Sequence, residues 1–314
     1  MLGQVVFALL IASAGAVPAL PSHVPALAAE PVLAAEPVLA AQQPPAAQPA
    51  SAAPAAAAQS FPAAAAAPAA AAARGTLGSS VSIPSAHLGY AVNIRVYEPP
   101  SAATCESLPV LYVTDGSDYW KPELGNVVDT LDALITSGRL APILAVFIDA
   151  WDPVQHRNRR YEQFLPAGTE TLEPFESCPF CDFIVEEVVP WVEARYPVDT
   201  ERRGILGSSL GGFNAAYMAL THPDLFHVVG IQSPSIWRQP WFAERVARAT
   251  VLPQKVAIDV GVDESKFLPG ARALRDAYSS RGVPLQYREA AFDHSWRHWR
   301  ATTGEVLMFL YPLR

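Results

Sequence analysis

From residue 87 onward, short continuous apolar runs alternate with stretches whose apolar residues recur at helical spacing. His87–Tyr97 alternates as a strand does, and Pro99-Pro100 ends it. Pro109–Thr114 is an unbroken apolar run, the pattern of a strand buried on both faces, and it leads into Asp115-Gly116-Ser117-Asp118. Apolar strands are also expected at Pro142–Ile148, Arg203–Leu206, Phe226–Gln232 and Val256–Val260, and a last strand around Pro284–Glu289. Helices are expected at Gly125–Ser137, Asp182–Tyr196, Leu210–His222 and Pro269–Ser280, with a last one from about Ser295. Arg157–Gln163 reads as a polar loop. Strands alternating with helices imply an α/β fold, a mainly parallel sheet with helices on both faces. In such sheets chemistry collects at the carboxyl ends of the strands.

Composition changes this picture only at the N-terminal side. Residues 17 to about 73 are almost entirely Ala and Pro, with Phe61 the one aromatic. They include the repeat Leu27-Ala28-Ala29-Glu30-Pro31-Val32 and Leu33-Ala34-Ala35-Glu36-Pro37-Val38. Prolines interrupt any helix the alanines favour, and too little apolar surface is present to offset the entropy of ordering. Residues 17–76 are therefore expected to form a disordered linker ahead of a single folded domain at 77–314. About 240 residues suffice for one substantial core. Val5–Ala14 followed by Ala14-Gly15-Ala16 reads as an export signal over residues 1–16, although Met1-Leu2-Gly3-Gln4 carries no basic residue. The expected location is secreted or periplasmic.

The 22 Lys+Arg against 30 Asp+Glu give a net charge of −8 with no basic run, which argues against a nucleic-acid partner. The folded part has no apolar stretch of membrane-spanning length, so no stable membrane insertion is expected. The cysteines are Cys105, Cys178 and Cys181. In an exported protein, a structural disulfide between two of them is the expectation over a redox-active C-x-x-C pair, with the pairing open. No second C-x-x-C completes a zinc site, and neither metal nor organic cofactor is implied.

Gly207-Ser208-Ser209-Leu210-Gly211 fits G-x-S-x-G, a sharp strand-to-helix turn that exposes a strained serine above the sheet. Side chains two before and two after the nucleophile would collide across the turn. Only Ser209 has glycine at both places; Ser208 has Leu206 and Leu210. A serine hydroxyl needs a base, and the base a carboxylate to hold its tautomer. His294 follows the last expected strand and is the expected base, ahead of His298, His222, His227, His87 and His156. The acid should follow Val256–Val260, where Glu264 is favoured over its neighbour Asp263, and Asp259 inside the strand ranks third. The oxyanion of the tetrahedral intermediate needs two amide donors. Leu210, next after Ser209, and Ser117, after Asp115-Gly116, are expected to supply them.

These segments resemble the enterochelin esterase and feruloyl esterase branch of the α/β-hydrolases, grouped with esterase D and the mycolyltransferases as the "Putative esterase" family. The likeness covers most of residues 85–314. It is carried by Leu111-Tyr112-Val113-Thr114-Asp115-Gly116, Arg159-Arg160-Tyr161-Glu162, Glu186–Val192 with Arg195-Tyr196, Ser209-Leu210-Gly211-Gly212, His222–Phe226, and His294-Ser295-Trp296 with Trp299. The resemblance implies an α/β-hydrolase fold. It also implies an acid three residues after the glycine of G-x-x-E/D, which favours Glu264. Phe292-Asp293 replaces the small residues usual before the histidine, and Cys178-Pro179-Phe180-Cys181 is a local addition.

The resulting expectation is an exported serine esterase acting on a small-molecule ester through an acyl-enzyme. Trp120, Arg159 and Trp296 are the candidate substrate-binding residues. An acyltransferase would use the same triad, and a catalytically silent cell-envelope binding module is the reading from another class. Siderophore, feruloyl, acetyl and lipid esters stay open as substrates.

Overall fold

The computed structural model describes residues 74–100, 102–166 and 177–313. The signal and most of the linker expected from the sequence lie outside the described residues. Among the described residues, those just ahead of 77 also pack against the domain. The Gly75 amide donates to Asp132 Oδ1 at 2.8 Å, and β1 (Thr76–Leu77) pairs with a later strand.

β2 (Val81–Pro84) and β3 (Ala91–Glu98) form an antiparallel pair. The single strand expected at His87–Tyr97 is shorter at its start, because the chain turns through residues 85–90 before entering β3. β4 (Leu108–Thr114) and β5 (Leu144–Ile148) are buried along their whole length, as their unbroken apolar runs require. β6 (Trp151–Asp152) and β7 (Arg157–Asn158) make a separate small antiparallel pair. β7 and the short helix Arg160–Gln163 stand where the sequence suggested a loop over Arg157–Gln163. β8 (Val198–Ser208), β9 (Val228–Gln232), β10 (Lys255–Gly261) and β11 (Leu285–Ala290) complete the main sheet.

The main sheet runs β1-β3-β5-β4-β8-β9-β10-β11, with β2 beside β3. From β5 to β11 all neighbours are parallel, while β3 joins β5 antiparallel. The order reverses between β4 and β8. Successive crossovers lead away from that point in opposite directions, so a crevice opens above the strand ends there.

Helices cover both faces. One face carries Leu210–Thr221, Phe242–Arg248 and Leu268–Ser280, whose Phe213, Phe242 and Leu274 pack into one core. The other carries Val127–Thr136 and Trp296–Leu310, with Leu131, Val306 and Leu310 in a second core. Phe242–Arg248 and the turn Ile236–Arg238 have no counterpart in the sequence expectation. The helix expected at Asp182–Tyr196 begins at Pro179 and is wound as a π-helix over Phe183–Val188. Pro190, which has no N–H to give, stands in the first turn of the α-helix that resumes at Val189. Among the described residues no helix is long and apolar enough to cross a membrane.

Candidate active site

At the end of β8 the chain must reverse into the helix Leu210–Thr221. It does so through Ser209 at φ 58° and ψ −118°, a backbone that side chains normally avoid. The flanking glycines make the turn possible. A Cβ on Gly207 would lie 2.2 Å from the Gly211 carbonyl oxygen, and one on Gly211 2.6 Å from Thr114 Oγ1. The Ser209 amide donates to the Gln232 carbonyl at 2.8 Å, and its own carbonyl accepts from Ser235 and Phe213. The strained residue is thus held from both sides.

Two further strand ends reach it. His294, in the loop after β11, places Nε2 2.9 Å from Ser209 Oγ. Glu264 lies three residues past the Gly261 that ends β10, and its Oε2 stands 2.6 Å from His294 Nδ1. Its other oxygen, Oε1, accepts from the Gly261 amide (2.8 Å), Ser233 Oγ (2.7 Å) and His298 Nδ1 (3.0 Å). Burial pushes the Glu264 carboxyl up, but bonds from His294, His298 and Ser233 outweigh it and bring the pKa down to about 2. An ionised Glu264 assigns the proton of His294 to Nδ1, which leaves the Nε2 lone pair facing the serine hydroxyl. The imidazole is clamped by Phe267, stacked at 3.9 Å between ring centroids, and by the edge of Trp299 at 5.0 Å.

Asp263 stands outside this cluster. It is exposed, and its amide donates to the Phe292 carbonyl at 3.3 Å. Asp259 is buried behind the site, accepting from Gln232 Nε2 at 3.0 Å, with Oδ1 3.4 Å from His298 Nε2. Burial raises its pKa from 3.8 to about 6, against the opposing pull of His298. A carboxyl raised by folding favours the native state fully below its unfolded pKa of 3.8 and loses that contribution as the pH rises through 6. Asp259→Asn is therefore expected to gain stability relative to the parent by about 2 kcal/mol between about pH 4 and pH 7. Urea unfolding of both chains across that range measures it, and a pH-independent difference would refute it.

The oxyanion donors differ from the sequence expectation in one respect. Leu210 opens its helix, so its amide belongs to the N-terminal set that has no partner within the helix. The Ser117 amide is instead taken by Asp149 Oδ1 at 2.7 Å. Asp149 follows β5, the strand beside β4, and Gly116 packs so tightly there that a Cβ would lie 2.4 Å from the Ile148 amide nitrogen. Burial raises the Asp149 pKa despite that bond.

Each candidate substrate-binding residue makes contacts within the protein. Arg159 is held by Asp152 (3.0 and 2.7 Å) and Glu162 (2.7 Å). Trp296 packs edge-on against Tyr119 and Trp299, and Trp120 lies under the Arg95 guanidinium. The arginine that reaches the elbow is the neighbouring Arg160. Its Nε and Nη2 donate to Asp115 at 2.6 and 2.9 Å, and Nη2 also lies 3.4 Å from the Ser208 carbonyl. Burial pushes the Asp115 carboxyl up against the pull of Arg160. Burial likewise opposes the Arg160 charge, but Asp115 outweighs it.

Beside the imidazole, Trp237 meets Phe267 edge-on at 6.4 Å, with the Lys266 ammonium 3.6 Å and the Arg238 guanidinium 4.4 Å from its ring centre. No motif marks Phe267, Trp237, Ser233 or Asp149; their places depend on which strand ends adjoin. Cys178 and Cys181 form a disulfide at the start of Pro179–Asp182, and Cys105 is free. The sulfur of Cys181 accepts from Asn214 of the elbow helix at 3.7 Å, so the bridge braces the helix that follows Ser209.

The profile of a family described as "Putative esterase" matches residues 85–309. Iron(III) salmochelin esterase of Escherichia coli is 24% identical over 231 residues, 68% of this chain and 52% of that enzyme. Siderophore triacetylfusarinine C esterase of Aspergillus fumigatus is 27% identical over 161 residues, 48% of this chain and 52% of that enzyme. Enterochelin esterase from Shigella flexneri matches in structure with a TM-score of 0.63 at 20% identity, over 74% of this chain and 58% of that one. A ferulic acid esterase matches with a TM-score of 0.59 at 21% identity, over 76% and 98%. The chain spans about half the length of these siderophore-esterase relatives. The likeness to the solved structures is one of fold, the α/β-hydrolase type.

Proposed function

Because this chain belongs to the "Putative esterase" family, whose profile spans Ser209, Glu264 and His294, we propose that it is a serine carboxylic-ester hydrolase. The observation that carries the reading is the unbroken chain from Ser209 Oγ through His294 to Glu264. His294 Nε2 takes the proton as Oγ attacks the ester carbonyl, and Glu264 stabilises the imidazolium that forms. The proton then passes to the departing alkoxide, leaving an acyl group on Ser209. Water, deprotonated by His294, attacks that acyl group; the acyl–Oγ bond breaks, His294 returns the proton to Ser209 Oγ, and the acid product leaves. The Leu210 amide donates to the oxyanion in both halves. Ser117 supplies a second donor when the developing oxyanion displaces Asp149 from its amide.

An aromatic ester suits the site best. Trp237 and Phe267 put aromatic surface beside His294, and the cationic Lys266 and Arg238 stand over the Trp237 ring. Relatives named for siderophores and for ferulic acid support the same class. Transfer of the acyl group to an alcohol is the second reading, since the same residues serve it. With the signal-like N-terminus, the place of action is secreted or periplasmic.

Incubation of the full chain with a fluorophosphonate probe, followed by peptide mass mapping, is expected to place the adduct on Ser209. Feruloyl esters should be turned over at least about tenfold more efficiently than acetyl esters, given about 1.4 kcal/mol of stacking. A folded chain that neither takes the probe nor turns over any ester would mark a silent binding module.

A further inference from the structure

We infer that His298 is a positioning residue for this reaction: it stands between the carboxyls of Glu264 and Asp259, and its bond to Glu264 locks that carboxylate in the orientation that serves His294. The inference rests on the reading of Ser209, His294 and Glu264 as catalytic.

His298 lies in the helix Trp296–Leu310 and is fully buried. Packing alone would be met by any flat ring stacked on Phe292, as this one is at 5.3 Å. Yet both its nitrogens face carboxyl oxygens. Nδ1 is 3.0 Å from Glu264 Oε1, and Nε2 is 3.4 Å from Asp259 Oδ1. A carboxylate rotates freely about its last bond unless its oxygens are held apart. Here Oε1 receives Gly261, Ser233 and His298, which leaves Oε2 to His294 alone. Ser233 can donate to Glu264 because its own oxygen accepts from Trp299 Nε1 at 2.9 Å. The C-terminal helix thus reaches Glu264 twice, directly through His298 and through Trp299 by way of Ser233.

On its other side, His298 Nε2 faces Asp259 Oδ1 at 3.4 Å, and neither atom has a hydrogen bond to any other group among the described residues. Two facing lone pairs repel, so the approach favours one proton on one of these two atoms. Placed on either atom, it leaves Asp259 and His298 with no net charge between them. Glu264 is then the sole net charge behind His294 in this buried cluster. The charged groups packed around His298 are these two carboxyls of β10 and its loop, with Arg297 further out over Phe292.

Three replacements in the full-length chain separate positioning from packing. His298→Asn keeps an N–H close to the place of Nδ1. His298→Phe keeps the ring and its stack but no donor, and His298→Gln puts its N–H at the far nitrogen. His298→Phe is expected to lower kcat about ten- to a hundredfold with KM changed less than about twofold. It should also move the acidic limb of the kcat/KM profile to higher pH, because a Glu264 that loses a donor holds the His294 proton more tightly. His298→Asn should stay within about fivefold of the parent in kcat. Equal activity of the Phe variant and the parent, or equal loss in the Asn and Phe variants, would overturn the inference. If thermal unfolding shows that the Phe variant does not fold, the comparison of Asn with Gln decides. Asn must then be the more active by about fivefold or more, and equality overturns the inference. Ser209→Ala stands as a separate control. Activity surviving in it removes the underlying site reading, whereas an inactive Ser209→Ala beside a fully active His298→Phe removes only the role of His298.

Discussion

Ser209→Ala is expected to lower kcat for ester hydrolysis by about 10⁵- to 10⁶-fold, to the level of oxyanion stabilisation and binding alone. No neighbour can take over the attack. Ser208 is fully buried, and the residues two before and two after it are Leu206 and Leu210 rather than glycines. Its hydroxyl has no hydrogen bond to His294, whose Nε2 is directed at Ser209. Replacing the acid should cost less, because a histidine without its carboxylate still samples the productive tautomer. Glu264→Ala is expected to lose about 10³- to 10⁴-fold, and Asp263→Ala less than about threefold, since only Glu264 meets Nδ1. Steady-state kinetics on one aromatic ester would measure all three. A loss in Asp263→Ala matching that in Glu264→Ala would reverse the assignment of the acid, and a Ser209→Ala variant above about 1% of parent activity would move the nucleophile elsewhere.

The largest expected effect on stability lies one step behind the elbow. Arg160→Ala should destabilise the fold by about 3–5 kcal/mol and lower its melting midpoint by about 10 °C. Asp115 has 3% of its side chain exposed and Arg160 27%, so removal of the guanidinium strands a carboxyl that water barely reaches. Asp115 cannot simply swing out. Its backbone is left-handed at φ 56°, and its Oδ2 sits 2.9 Å from where a Cβ on Gly211 would be. Protonation is its remaining recourse, which makes the loss greater at pH 8 than at pH 4. The same change frees the Ser208 carbonyl from Arg160, so kcat should fall together with stability. Calorimetry of the full chain measures the shift. A change below about 1 kcal/mol would show the pair to be solvated rather than structural.

The strands β3–β5 and β8–β11 were legible because each is written in adjacent residues, whereas β1, β2, β6 and β7 are too short to carry a pattern. β4 and β5 are unbroken apolar runs buried along their length, and Gly207 is required by the Gly211 carbonyl four residues on, whereas Gly211 is also required by Thr114 and Asp115 at the end of β4. Irregular elements were harder to see. The π-wound stretch Phe183–Val188 has ordinary helical spacing, and the helix Phe242–Arg248 is too short for periodicity to separate it from a loop. The candidate site was partly legible for the same reason. Ser209, Glu264 and His294 could each be placed at a strand end, but Arg159 could not be told from Arg160. Adjacent positions on one short turn point in different directions, one toward Asp152 and the other toward Asp115.

What the sequence by itself determined is the longer strands and helices, the turn that strains Ser209, and the strand ends after which an acid and a base follow. Tertiary structure alone decided which ends meet. The order β8-β9-β10-β11 brings Glu264 and His294 to Ser209, and the pairing of β4 with β5 delivers Asp149 to the Ser117 amide. It also chose Cys178 and Cys181 as the bridged pair and set His298 between two carboxyls. Sterics and periodicity act between neighbours along the chain. Hydrogen-bond partners for a buried amide or carboxylate are recruited from other strands, and only the assembled sheet names them.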